Sequence, residues 1–170
     1  IFIWEAFDKN LLKGELIAQN KEIGTEDFYK SMFNEIEKKL LYIPKEIKDT
    51  QRNEKEIFAY NAGIFGGHNI DFFKKYTSLC FKFIEKNRAI LNRINKSSLN
   101  VYFEQFFFFC LSQKYNEKVH TFFEKVIPDN EYTGMGDFQL VPAMKKYLHL
   151  IGPFKKDYKT CKKMSWILRE

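Results

Sequence analysis

Cysteine, histidine, proline and glycine are all scarce here: 170 residues hold 3 Cys, 3 His, 4 Pro and 8 Gly. Cys80, Cys110 and Cys161 stand far apart. An odd, unclustered set makes neither a disulfide framework nor a zinc site. They read as three buried thiols of a chain that works in a reducing cytoplasm. No run approaches the roughly 20 apolar residues of a membrane helix. The longest, 106–111, is four Phe followed by Cys and Leu, a length that suits a core helix. No charged stretch followed by an apolar one opens the chain, so no signal peptide is read there. The chain opens instead on Ile1-Phe2-Ile3-Trp4, without Met. That reads as entry into the middle of a strand, and hence as a fragment or processed product.

What is plentiful is phenylalanine. The 19 Phe carry most of an 18% aromatic share, within an apolar fraction of 45%. Phe brings large buried area and no polar handle, so most of them are expected in a core. The formal charge of +6 is spread as Lys pairs, Lys38-Lys39, Lys74-Lys75, Lys145-Lys146, Lys155-Lys156 and Lys162-Lys163. Such pairs inside helical segments read as solvated faces. A basic balance also suits polyanions: nucleotide diphosphates, nucleic acid or anionic lipid. Nucleic-acid binding would need aromatics exposed beside the basic residues, and core spacing of the Phe argues against it.

Residues 1–4, 15–19, 57–65, 119–126 and 147–150 read as strands or extended runs, with Pro128 closing the fourth. A helix opens after Thr25, with Phe28, Met32, Phe33, Ile36, Leu40 and Leu41 as its stripe and Pro44 as its end. Residues 45–56 read as a surface loop or short helix. A second helix over 70–87 is capped by Asn69 or His68, with Phe72, Phe73, Tyr76, Leu79, Cys80, Phe83 and Ile84 on its core face. A third, 100–115, is apolar nearly all round and therefore buried on most sides. Asp157 caps a last one with Tyr158, Cys161, Met164, Ile167 and Leu168 as its stripe. Strands alternating with helices predict an α/β fold, a mixed sheet flanked by helices in a helix-rich, three-layer-like arrangement. Without repeats, low-complexity tracts or linkers, residues 1–170 read as a single domain.

Four places could carry chemistry. Asn61-Ala62-Gly63 and the following Gly66-Gly67 put small residues at a strand end, where a ligand or another backbone can come close; taken alone, a tight strand-to-helix turn with no ligand explains them slightly better. Glu104-Gln105 leads into the Phe-rich helix, either as a reactive pair or as plain N-terminal helix chemistry. His149, Gly152 and Lys155 combine a metal ligand, a close backbone approach and a cation for phosphate; a capping His and a surface Lys would look the same. Gln19-Asn20 offers paired donors and acceptors for sugar hydroxyls, or a polar turn. His68 and His120 attract less attention, His120 lying on the exposed side of an alternating run.

The order of these pieces resembles glycosyltransferases of the single-Rossmann (GT-A) type: a strand with Asn-Ala-Gly, a helix, an acid-Gln pair, then His-x-x-Gly-x-x-Lys. The resemblance is to the glycogenin and galactosyltransferase-like retaining family, and to an uncharacterised bacterial family of glycosyltransferase-like proteins. It implies that the 170 residues are the C-terminal portion of a catalytic domain. It further implies that His149 holds Mn2+ (or Mg2+) together with an acidic motif upstream of the chain. Gly152 and Lys155 would then approach a nucleoside diphosphate, Asn61, Ala62 and Gly63 would line the donor site, and Glu104 and Gln105 would face the reacting sugar. The implied partners are a nucleotide-sugar donor, a UDP-sugar foremost, and a glycan or lipid-linked acceptor, with no nucleic acid. A cytoplasmic enzyme able to work at a membrane surface fits, although no segment reads as an amphipathic anchor. This sequence departs from the pattern at Glu104, where Asp is usual, at Lys156-Asp157, where aromatics are expected, and in lacking an acidic pair near Ile1. The isolated chain is therefore expected to be inactive. A non-catalytic module that binds a glycan or protein partner is the alternative.

Overall fold

The computed structural model describes residues 2–3, 9–24, 29–50, 57–122, 127–128, 147–148 and 157–167. Its elements in chain order are β1 (Phe2–Ile3), β2 (Leu16–Ala18), β3 (Lys21–Gly24), α1 (Ser31–Lys39), α2 (Lys45–Asp49), β4 (Ile57–Tyr60), β5 (Phe65–Gly66) and α3 (Ile70–Asn87). They continue with α4 (Lys96–Asn100), α5 (Phe107–Lys114), β6 (Val119–Thr121), β7 (Ile127–Pro128), β8 (Tyr147–Leu148) and α6 (Tyr158–Ile167). A π-helical stretch, Val101–Phe106, joins α4 to α5. The protein is mixed α/β, as the alternation of patterns predicts.

Two compact units form, one from Asn10–Asp129 and one from Ile1–Lys9 with Asn130–Glu170. In the smaller unit β1 pairs antiparallel with β8, Phe2 opposite Leu148. Its helix α6 follows Asp157, whose carbonyl accepts from the Cys161 amide at 2.9 Å. Tyr158 and Cys161, expected on the buried stripe of that helix, are exposed instead.

The larger unit is built on two short ladders laid end to end. In the first, β2 runs between antiparallel β5 and parallel β6. In the second, β3 runs between antiparallel β4 and parallel β7. The strand read over 57–65 is thus two strands interrupted at Asn61. Lys21–Gly24 went unread as a strand, because its Lys-Glu-Ile-Gly sequence offers neither alternation nor β-branched weight. Pro128 does not close a strand but sits in β7, beside Ile23.

Helix α3 keeps the limits the sequence predicts. The Asn69 side chain accepts from the Phe72 amide at 2.9 Å, satisfying one of the free donors of its first turn. Phe72 and Phe83 are buried, while Ile84, expected beside them, is 37% exposed. One residue turns the helix by about 100°, enough to carry Ile84 off the core face. Leu41, expected on the stripe of α1, lies beyond the helix end and is exposed. The third helix starts earlier than read, at Lys96, because Asn95 caps α4 by accepting from the Ser97 and Ser98 amides. Asn87 closes α3 differently. Its amide donates to the carbonyls of Phe83 and Tyr42 and accepts from the amides of Leu41 and Tyr42, so this fully buried side chain ties α3 to the end of α1.

Aromatic rings fill the centre. Every residue from Phe106 to Ser112 is buried, as a helix apolar all round must be. Phe108 is the hub, stacked on Phe65 at 4.1 Å and meeting the rings of Phe72, Tyr76 and Tyr60. Phe33 of α1 plays the same part beside Tyr29, Tyr102 and Phe106. Each such pair contributes about 0.5–1.5 kcal/mol beyond its buried area. Of the three thiols expected to be buried, only Cys110 is; Cys80 is half-buried.

Candidate functional site

The junction between the two ladders gathers four buried polar residues of the larger unit, Gln19, Asn20, Glu22 and Asn61. Ala18 pairs with Phe65 and Lys21 with Tyr60. Residues 61–64 therefore lie opposite only Gln19 and Asn20, and the two extra residues loop out as a turn. Backbone groups at such a mismatch need partners of their own. The Asn61 amide donates to the Asn20 carbonyl at 3.0 Å, and the Phe122 amide to the Ala18 carbonyl at 3.2 Å. The Asn61 side chain completes the turn, its Oδ1 accepting from the Gly63 amide at 2.8 Å.

Beneath that turn lies a buried carboxylate. Glu22 of β3 is 2% exposed. One of its oxygens accepts from Asn61 Nδ2 at 2.6 Å, the other from the Tyr29 hydroxyl at 2.8 Å. Gln19 and Asn20 are buried with it and joined by a bond from Gln19 Nε2 to Asn20 Oδ1 at 3.0 Å. Gly24 is needed on the same side, since a Cβ there would run into the Tyr29 ring. Two of the predicted places, Gln19-Asn20 and Asn61-Ala62-Gly63, are thereby brought into one constellation. Sequence reasoning missed Glu22, its third member. The only signal was a charged residue in an otherwise half-apolar stretch, and that alone does not distinguish burial from exposure.

Both ends of the Asn61 amide are engaged inside the protein, so what the junction presents outward is the half-buried backbone of Ala62, Gly63 and Ile64. The chain leaves β5 through Gly67, which has φ 135° and lies so close to the Glu15 carbonyl that no side chain fits. Gly66 has open space around it. His68 does not cap α3; its Nε2 meets the Leu12 carbonyl at 2.8 Å. His120 is exposed, as expected.

Glu104 and Gln105 belong to a second, half-buried cluster. They sit in the π-helical stretch, which packs against β4 on one side and α3 on the other. The Tyr76 hydroxyl donates to the Glu104 carbonyl at 3.2 Å, and the Cys80 thiol to the Phe103 carbonyl at 3.8 Å. Burial raises the Glu104 carboxyl above its ordinary range. It also pushes the Cys80 thiol up to about 12, which leaves it without nucleophilic character at neutral pH. Tyr76 is raised as well, by burial first and by the neighbouring Cys80 and Glu104 second. A carboxyl held toward its neutral form, set in a widened helical turn, is the kind of group an acid–base step uses.

His149, Gly152 and Lys155 lie outside the described residues. Among the described residues no three His, Cys, Asp or Glu side chains are grouped to hold a metal ion. Those residues do not by themselves make a divalent-cation site. Among them, too, no helix is long and apolar enough to cross a membrane.

No curated protein and no solved structure matches this chain. One family model does match, and it runs from the first residue to the last. The chain therefore belongs, over residues 1–170, to the family described as Family of unknown function (DUF6734).

Proposed function

We propose that this chain is the second half of a GT-A type glycosyltransferase, moving a sugar from a nucleotide-diphosphate donor to a hydroxyl acceptor. The observation that carries the reading is the looped-out turn at Asn61-Ala62-Gly63. Small residues stand at a strand end, and a buried bond from Asn61 to Glu22 fixes the backbone there. In this reading Asn61 is a positioning residue rather than a sugar-reading one. Its amide holds the peptides of Ala62 and Gly63 still, so that a sugar can lie against backbone with little reorganisation. Glu104 supplies a carboxyl with raised proton affinity and Gln105 an amide for hydroxyl groups. His149, Gly152 and Lys155 would take the diphosphate side with Mn2+ (or Mg2+), a metal whose chemistry is to stabilise charge on the departing phosphate oxygen. A UDP-sugar donor, a glycan or lipid-linked acceptor and a cytoplasmic setting complete the proposal.

The alternative reading is a non-catalytic glycosyltransferase-like module that binds a glycan or protein partner. Calorimetric titration with UDP, with and without manganese, separates the two on the 170-residue chain and on one extended upstream of Ile1. Manganese-dependent binding by the extended chain, lost in His149→Ala, supports the enzyme. No binding by either form sinks the UDP-sugar reading and promotes the module.

A further inference from the structure

On the sheet face turned away from Glu22, two polar side chains stand next to each other with no polar partner among the described residues. The register of β3 with β4 pairs Lys21 with Tyr60, so both side chains leave the same face, with Cβ atoms about 5 Å apart. Glu22 leaves the opposite face, as the next residue of a strand must. Tyr60 is 7% exposed, and nothing among the described residues bonds to its hydroxyl. Lys21 is half-buried. Its ammonium lies 4.1 Å from the centroid of the Phe58 ring and 5.4 Å from that of Phe109. No carboxylate among the described residues pairs with it. The Phe109 ring also meets that of Tyr60, at 5.9 Å, so one ring borders both groups.

Ring faces attract a cation, but they give its N–H donors no lone pair to bond. Burial lowers the Lys21 ammonium and raises the Tyr60 hydroxyl from their ordinary values, and no neighbouring charge or hydrogen bond offsets either shift. A buried polar group left in that state costs stability, and its retention calls for a reason. We propose that Lys21 and Tyr60 bind the carboxylate of a small organic acid, the ammonium supplying the charge and one hydrogen bond and the hydroxyl a second. The ligand class follows from the donors. One cation balances one negative charge, and two donors match the two oxygens of a carboxylate. Half-buried Phe58 offers apolar surface to the body of the acid. The net charge of +6 adds attraction at long range. This site is separate from the turn at Asn61 and does not rest on the glycosyltransferase reading.

The test is a titration of the chain with sodium benzoate, followed by amide NMR, with ionic strength held constant by chloride. Saturable shifts are expected at the amides of Lys21 and Tyr60. Lys21→Met and Tyr60→Phe should each raise the dissociation constant at least about tenfold. Lys118→Met removes the same charge from an exposed position and should change it less than about twofold. Tyr60→Phe should also raise Tm slightly in the absence of benzoate, because it deletes a buried hydroxyl that has no partner. Shifts that never saturate overturn the proposal, as does binding that survives Lys21→Met or Tyr60→Phe. A Tm lowered by Tyr60→Phe overturns it too, by showing that the hydroxyl serves the fold. Saturation by inorganic phosphate and not by benzoate overturns the carboxylate class and assigns the pair to a phosphate group.

Discussion

The aromatic centre and the polar junction are both buried, yet they are held by different physics. Around Phe108 the contacts are many, non-directional and individually weak. At Glu22 hydrogen bonds from Asn61 and Tyr29 fix a buried carboxyl group with defined geometry. The first region should tolerate any side chain that conserves volume and apolarity. The second should not tolerate even an isosteric change that alters a donor.

The largest expected effect breaks the aromatic side of this comparison. Phe108→Ala should cost about 3–5 kcal/mol in urea unfolding through lost burial and the cavity left behind, and Phe108→Leu, which keeps most of the volume but gives up the ring pairs, a smaller loss. Equal losses would show that ring geometry, not volume, governs the core.

Next comes Asn61→Asp, a change of almost no volume. It replaces the donor 2.6 Å from Glu22 with a second carboxylate, and should cost about 3 kcal/mol near neutral pH. Two carboxylates that close cannot both ionise, so the pair's folded proton affinity rises above that of the unfolded chain. Stability is then retained at low pH and lost as pH rises through the folded value, so the deficit should shrink on acidification. A pH-independent deficit in urea titrations would argue against a shared carboxylate site.

A smaller loss, about 2 kcal/mol, is expected for Gly24→Ala, because its Cβ displaces Tyr29 from Glu22. Tyr29→Phe in the same background should add little if the two changes remove the same bond, which a double-mutant cycle reads directly.

The smallest effect has the opposite sign. Burial raises the Glu104 carboxyl, so its ionised form is disfavoured in the folded state. Folding is then opposed once pH climbs above the ordinary carboxylate value of about 4.3. Glu104→Gln should raise Tm slightly near neutral pH, and the gain should vanish below about pH 4. A gain that persists in acid would have another origin.

Much of the fold is legible because its signals are local. Asn69 followed by apolar residues at three and four defines α3, and four consecutive Phe can only be a segment buried on all sides. The junction is not legible in this way. Glu22 and Asn61 are 39 residues apart, and nothing near either one encodes the other. Their meeting depends on the register of β3 with β4 and on the two residues by which one strand exceeds its neighbour. Helix α3 shows the same limit. Periodicity groups Ile84 with Phe83, while only the packed structure decides which side of the helix the core occupies.

By itself, then, the sequence determined the α/β class, the limits of α3 and an aromatic core around the four Phe. Helix periods and caps act over a few residues, and composition acts through total buried area, so both can be read without knowing what folds against what. Only the tertiary structure decided that Glu22 is buried, that the Asn61 amide turns inward, and that Ile70 and Phe81 face water. Those outcomes depend on which long-range partners arrive, and a single polar or apolar residue carries no record of its partner.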